Sequence, residues 1–256
     1  MPEVTLYHWE PNANSGKPML ALEEKGVAWT SRYINMLEFD QHKPEYLAIN
    51  PQGTIPAMLH GERVLTESTA IMEYVDQAFD GPPLMPADPQ DRWRVRWWMK
   101  FMDQWLGPSF SMVGWCTFVG PSLAHKSEEE REAMIARIPL PERRTAWRKA
   151  MFAEFSEAEL AESRRRIGLG VELVEGELGR REYVGSNAYS LADINLFNSL
   201  YGLPVGNPEL CGPELTPNIW RWLSAVYKRP AVQRTWAMGS GRFTDRFNAI
   251  MQGLGQ

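Results

Sequence analysis

The sequence predicts an α/β domain built on a mixed sheet, followed by an all-helical domain. Three observations carry this. The first 80 residues alternate strand-like and helix-like stretches in the order β-α-β, short helix, β-β, α, the pattern of a compact layered α/β unit. Residues 80–89, "DGPPLMPADP", hold prolines at 82, 83, 86 and 89, the composition of a semi-rigid linker at a domain boundary. Everything beyond that stretch reads as helix. The expected division is residues 1–80, a linker over 81–89, and a helical domain from 90 to 256.

Each element has a local cause. Residues 4–7 read as a strand and 11–15 as a loop. Ser15 is placed to N-cap a helix, with Pro18 in its first turn, where no N–H is needed. That helix runs to Lys25 and Gly26 ends it. Residues 27–34 read as a second strand and 44–49 as a short helix. Residues 57–60 and 63–66 are two strands about a tight turn containing Gly61. Pro56 heads the first of them, one of the few places where a strand tolerates a residue that cannot donate. Ile71, Met72 and Val75 are spaced for one face of a helix over 68–79. Past the linker, Asp88-Pro89 supplies an N-cap and a first-turn proline for a helix over 90–106. A second segment continues to Val119 after Gly107-Pro108. Residues 126–166, dense in Glu and Arg, read as two or three solvated helices broken near Pro139 and Pro141. Ser190 and Asp193 form a capping box, with Tyr189 placed to staple onto Ile194. Thr216-Pro217 opens a helix that runs to Lys228, before Pro230.

Composition removes several function classes. A chain of 256 residues with 44% hydrophobic residues has enough to bury a sizeable core. The net charge of −5 argues against nucleic acid, which selects a basic face. No apolar run reaches the roughly 18 residues that span a bilayer, and the N-terminus lacks the pattern of a signal peptide, so a cytoplasmic protein without a membrane partner is expected. Two cysteines, Cys116 and Cys211, and four histidines (8, 42, 60 and 125) offer no metal-ligand spacing, so no metal is expected. Tryptophan is abundant, with 11 residues. Trp93 and Trp97 share one face of the first helix after the linker. With Trp98 and Met102 they make more apolar surface than one small domain covers, which predicts a two-fold homodimer.

The segments "ANSGKP", "FDQHKPEYLAINPQGTIPA" and "VLTESTAIMEY", the proline linker and the Ser-x-x-Asp box at 190–193 resemble cytosolic glutathione transferases over most of the chain. With the long helical insertion after Gly120, they are most similar to the bacterial β-etherases of lignin breakdown, and more distantly to glutathione-dependent dehalogenases. The resemblance implies a thioredoxin-like N-terminal domain, an all-α C-terminal domain, and glutathione as co-substrate. It implies that Pro56 is a cis proline that presents the Ile55 backbone to the cysteinyl unit of glutathione, like an added strand. Ser68 at a helix N-terminus is suited to the γ-glutamyl carboxylate, and Glu67 to the ammonium of the same unit. His42 and Lys43 are candidates for the glycyl carboxylate.

In this family the group acting on the sulfur lies just after the first strand. Ser15, with Asn14 and Asn12 beside it, would stabilise the glutathione thiolate through its hydroxyl and the helix dipole. Tyr7 is the rival, but it reads as part of the strand. A plain helix cap is the structural alternative for Ser15. No cysteine precedes position 116, which argues against members that attack with their own thiol. The implied reaction is thiolate displacement of a phenol from the carbon next to a ketone. Trp9, Met112, Trp115 and Phe118 are candidate walls for the aromatic substrate, and each is equally explained by core packing. A general detoxifying transferase or dehalogenase, and a non-catalytic member of the fold, are the competing readings.

Overall fold

The computed structural model describes residues 3–241 and 244–253; the extreme ends of the two expected domains, residues 1–2 and 254–256, lie outside the described residues. The N-terminal unit is a four-stranded mixed sheet of order β2-β1-β3-β4. The strands are β1 (Val4–His8), β2 (Thr30–Tyr33), β3 (Ala57–His60) and β4 (Arg63–Thr66). β1 pairs parallel with β2 in the register Thr5↔Thr30 and antiparallel with β3 in the register Leu6↔Met58. β2 is half as long as its apolar run suggested, because its ladder covers only Thr5 to His8 of β1. Helices α1 (Gly16–Lys25), α2 (Pro44–Leu47) and α3 (Ser68–Ala78) complete the unit. Leu6, Met58, Leu20, Leu22, Ile71, Met72 and Val75 are buried between the sheet and α1 and α3.

The stretch between α3 and the next helix is anchored. The Leu84 side chain is buried, its N–H donates to Asp76 Oδ1 at 2.8 Å, and its carbonyl accepts from Leu191 N at 2.9 Å. α4 (Pro89–Phe101) starts where Asp88 caps Gln90 and Asp91 N–H, both at 2.9 Å. Gly107-Pro108 does not break the chain's course. α4 passes through a π-helical turn (Met102–Leu106) into α5 (Gly107–Gly114). A second π turn (Trp115–Val119) leads into α6 (Gly120–Leu123). In both places a glycine N–H bonds five residues back, Gly107 to Met102 and Gly120 to Trp115, and a proline follows. A proline in a helix removes a bond and crowds the carbonyl four residues earlier; widening one turn to π spacing relieves both without a kink.

The remaining helices are α7 (Glu128–Ala136), α8 (Pro141–Met151), α9 (Glu157–Leu178), α10 (Leu191–Leu200), α11 (Leu203–Gly206), α12 (Pro217–Tyr227), α13 (Pro230–Trp236) and α14 (Asp245–Gly253). α10 is the buried axis of this half. Its capping box forms as expected, with Asp193 accepting from Ser190 N at 2.8 Å, and Asp193 also accepts from Val184 N and Trp222 Nε1. One apolar cluster runs from the sheet through α1 into α10 and α12, so the two halves share a core. A second cluster joins Trp9, Leu37, Phe39 and Ile55 of the N-terminal unit to Ile135, Ile138, Trp147 and Met151 of α7 and α8 and the turn between them. The Glu/Arg-rich segment is therefore not only a solvated face; it is a roof over one edge of the sheet domain. No helix among the described residues is long and apolar enough to cross a membrane.

Candidate functional site

The loop from β1 to α1 is pinned from three sides. Tyr33 donates to Glu10 Oε1 at 2.6 Å, Ser240 N–H donates to Glu10 Oε2 at 3.0 Å, and Asn198 of α10 donates to the Pro11 carbonyl at 2.5 Å. Gly16 permits this approach, since a Cβ there would collide with Pro11 O and Asn198 Nδ2. Ser15 heads α1 and is 1% exposed. Its hydroxyl makes no capping bond to α1; it accepts the Trp9 N–H at 2.9 Å. The backbone of Ser15 is already helical, with φ −62° and ψ −34°, so the geometry differs from the extended cap read from the sequence. One lone pair of the hydroxyl is engaged, and its proton is left to donate.

The neighbours of Ser15 divide. Asn14 is exposed. Asn12 hydrogen-bonds with the Tyr201 hydroxyl of the helical half, and its own Oδ1 is buried without a partner. Tyr7 packs its ring edge-on against Tyr46, centroids 5.8 Å apart.

A second cradle lies at the start of α3. The Ile55-Pro56 peptide is cis, as the resemblance implied. Thr54 just before it is held by Tyr46 Oη and Asn50 Nδ2, at 2.6 and 2.8 Å from its carbonyl. Among the described residues, the Ile55 N–H and C=O take no hydrogen-bond partner. Glu67 sits at φ +66°, ψ 106°, a backbone region that non-glycine residues rarely occupy and that clusters at functional sites. No side chain caps α3, so the N–H groups of its first turn are open to an anion. Beneath them Lys17 pairs with Asp103 of the π turn after α4 at 2.8 Å, and Asn195 of α10 donates to both Asp103 Oδ1 (3.2 Å) and Thr69 Oγ1 (2.9 Å). Burial pushes the Lys17 ammonium pKa down, opposed first by Asp103 and more weakly by Glu67. A cleft of about 230 Å³ between α3 and α4 is lined by Thr69, Glu73, Arg96 and Asp103 among others.

His42 and Lys43 part ways. His42 is 4% exposed, its ring tilted against Phe39 with centroids 5.1 Å apart, and its Nδ1 has no partner among the described residues. Gly53, at φ +64°, makes room for it, because a Cβ would meet His42 Cδ2 at 2.6 Å. Burial, then the Arg137 and Arg143 guanidinium groups, bring the His42 pKa down to about 4, so the ring is neutral at physiological pH. Lys43 is exposed and ion-paired with Asp40 at 2.7 Å.

Of the expected substrate walls, Trp9 and Trp115 fall in the second apolar cluster with Ile55, and Trp115 packs on Trp147 at 4.9 Å. Met112 instead accepts from Ser163 Oγ of α9 at 3.2 Å, and Phe118 is about half exposed. Sequence reasoning missed Lys17, Asp103 and Asn195. One signal was present: a lysine in the first turn of a helix faces the positive end of the dipole and calls for a carboxylate. The partner, 86 positions away, has no local mark.

Comparison with known proteins gives two matches to family models. The glutathione S-transferase N-terminal domain matches residues 6–83, and the glutathione S-transferase C-terminal domain matches residues 108–230. Protein LigF of Sphingobium sp. (strain NBRC 103272 / SYK-6) is 36% identical over 236 residues, 90% of this chain and 91% of its own. Maleylacetoacetate isomerase of Rhizobium meliloti (strain 1021) is 42% identical over 95 residues, 37% of this chain and 44% of its own. The crystal structure of β-etherase LigF from Sphingobium sp. strain SYK-6 aligns with a TM-score of 0.88 at 34% identity, covering 91% of this chain and 98% of that one. Glutathione transferase F7 of Populus trichocarpa aligns at 0.70 with 20% identity, covering 91% and 97%, a likeness of fold.

Proposed function

The chain belongs to the glutathione S-transferase family and is a glutathione-dependent enzyme, and on that premise we propose that it cleaves β-aryl ethers of aromatic ketones by thiolate displacement. The observation that carries glutathione use is the paired cradle: an unpartnered Ile55 backbone beside cis Pro56, and an uncapped α3 N-terminus at Ser68. Ile55 would pair with the cysteinyl unit as an added strand. Ser68 N–H and hydroxyl would hold the γ-glutamyl carboxylate, and Glu67 the ammonium. The sulfur then falls before Ser15, whose free O–H and helix dipole favour the thiolate. The likeness to the β-etherase LigF favours ether cleavage over other transfers.

In the reaction the sulfur forms a bond to the carbon bearing the aryloxy group. That carbon's C–O bond breaks, the electron pair leaves on the phenolate, and the phenolate takes a proton from water. No redox partner is needed. The adjacent ketone activates the carbon, and positioning supplies much of the rate. The sheet domain holds glutathione; the helical domain, through Trp115 in the same apolar cluster as Trp9, supports the aromatic rings. Subunits pair as a homodimer through α4. Product analysis with a β-aryl ether ketone, the corresponding alcohol and a chloronitroarene tests this. Rapid phenol release from the ketone alone is expected. Equal turnover of ketone and alcohol, or preference for the chloronitroarene, would overturn it in favour of a general transferase.

A further inference from the structure

Glutathione carries two carboxylates and one ammonium group. The α3 N-terminus and Glu67 match the γ-glutamyl zwitterion at one end. For the glycyl carboxylate at the other end the sheet domain offers His42 and Lys43 as candidates, and neither is a free cation. His42 is buried and neutral, and Lys43 is turned to Asp40 at the surface. Yet His42 Nδ1 and Gln41 Oε1, both on nearly fully buried side chains, are left without partners. These are two buried polar atoms with an unmet requirement, and the imidazole nitrogen is the one that can donate to an anion.

The roof formed by α7 and α8 carries further positive charge. It is fixed to the sheet domain by Ile138 and Trp147, both buried, with Trp147 edge-on to Phe39 at 4.7 Å. Its five arginines between 131 and 148 are not equivalent. Arg131 donates to Met151 O, Arg144 donates to Ile138 O, and Arg148 pairs with Glu132. Arg143 is half-buried and has no hydrogen bond or ion pair among the described residues. Arg137 is exposed and, among the described residues, its side chain makes no hydrogen bond or ion pair; its Cζ lies 5.9 Å from the Phe39 ring, and Phe39 in turn abuts His42. Arg143 lies one turn before Trp147 on α8, and so on the face that docks onto Phe39, and its charge acts on both His42 and Glu67. A half-buried guanidinium with no counter-ion is an anion site in waiting, since its planar donors suit a carboxylate.

We propose that Arg143, with Arg137 beside it, binds the glycyl carboxylate of glutathione, so that the helical insertion supplies part of the co-substrate site. The inference rests on the glutathione use proposed for this chain. With the carboxylate in place, His42 Nδ1 gains a neighbour to which a neutral imidazole can donate, and the roof is drawn onto the sheet domain. The insertion thereby couples co-substrate binding to the wall of the aromatic pocket, because Trp147 of α8 also packs on Trp115.

Calorimetry on the full chain tests this with two peptides, glutathione and its glycinamide analogue, in which only the glycyl carboxylate is capped. The native protein should prefer glutathione by about tenfold or more, as expected for a charge-assisted pair out of full solvent. Arg143→Gln combined with Arg137→Gln should weaken glutathione about tenfold, leave the amide unchanged and abolish the preference; Arg143→Lys should retain part of it. Absence of any preference in the native protein, or a preference that survives the double substitution, overturns the proposal. The native comparison needs no variant, so misfolding of a mutant cannot shield the idea. If the native protein binds neither peptide, glutathione use itself is refuted, an outcome distinct from binding both equally.

Discussion

Ser15→Ala separates two roles that one hydroxyl performs. The Ser15 Oγ accepts the Trp9 N–H at 2.9 Å, with both residues buried. Removing it leaves a buried backbone donor unpaired, a cost of about 1–3 kcal/mol in unfolding free energy. The same change deletes the donor proposed for the glutathione sulfur. A lone donor of that kind is worth about 1–3 kcal/mol, hence roughly 10- to 100-fold in rate. The second effect has a signature that the first lacks. If the hydroxyl lowers the thiol pKa, its loss raises that pKa by about one to two units, since one unit corresponds to about 1.4 kcal/mol. The variant should then be slow at pH 6.5 and recover much of its rate as pH rises past the new thiol pKa.

The assay is phenol release from a β-aryl ether ketone at saturating glutathione between pH 6 and 10, beside urea unfolding of both proteins. A destabilised variant whose pH–rate profile coincides with the native one would refute the catalytic role and leave Ser15 as a structural acceptor for the 9–15 loop. A shifted profile without loss of stability would contradict the Trp9 contact instead. Both shifts together are expected.

Three further outcomes are expected. His42, at about 4 when folded and about 6.5 when unfolded, leaves the unfolded chain with more bound protons between those values; its contribution is complete above pH 6.5 and falls by up to roughly 3 kcal/mol as pH drops toward 4. Urea melts at pH 7 and 4.5 should therefore show a smaller acid loss in His42→Gln, and identical losses would count against the buried neutral ring. Asp193→Ala removes the acceptor of Val184 N, Trp222 Nε1 and Ser190 N at once, and should cost about 3–5 kcal/mol by chemical denaturation; a loss under about 1 kcal/mol would contradict the network. Trp93 and Trp97 are 64% and 43% exposed beside a stack of Trp97 on Phe101 at 5.4 Å, so light scattering should give a dimer at micromolar concentration and a monomer for Trp97→Glu, with a native monomer disproving the interface.

Where local chemistry sets the backbone, the sequence could be read directly. β3 and β4 fall at the expected residues because Pro56, Gly61 and the α3 start punctuate them. α1 ends at Gly26, and the capping box at Ser190 forms as written. The Gly-Pro pair at 107–108 misled for an equally physical cause. It signals a broken helix only if every turn must keep α spacing, and a π turn before each proline lets residues 89–123 run on. Ser15 could be placed at the head of α1, but its hydrogen bond could not be read, since the choice between its own helix and Trp9 depends on how the 9–15 loop is pulled over by Glu10, Pro11 and Asn198.

The same distinction decides what was legible of the site. The roles proposed for Ile55, Pro56, Glu67 and Ser68 rest on backbone geometry within a few residues, and a motif captures that. Lys17, Asp103, Asn195, Arg137 and Arg143 are polar groups brought together by tertiary packing, and no spacing encodes that. In the Glu/Arg-rich stretch, the patterns that place Arg148 against Glu132 and leave Arg143 with nothing are indistinguishable in one dimension. They separate only when Trp147 docks onto Phe39, in one cluster with Ile138, and fixes which guanidinium groups find a carboxylate and which do not. The apolar contacts of the roof thus select the polar residues left for the proposed co-substrate site. Trp147→Ala should accordingly weaken glutathione binding without touching any charged group. It should do so through the glycyl end, so affinity for the glycinamide analogue would be affected least. An equal loss for both peptides would mean that Trp147 supports the sheet domain as a whole rather than the position of the arginines.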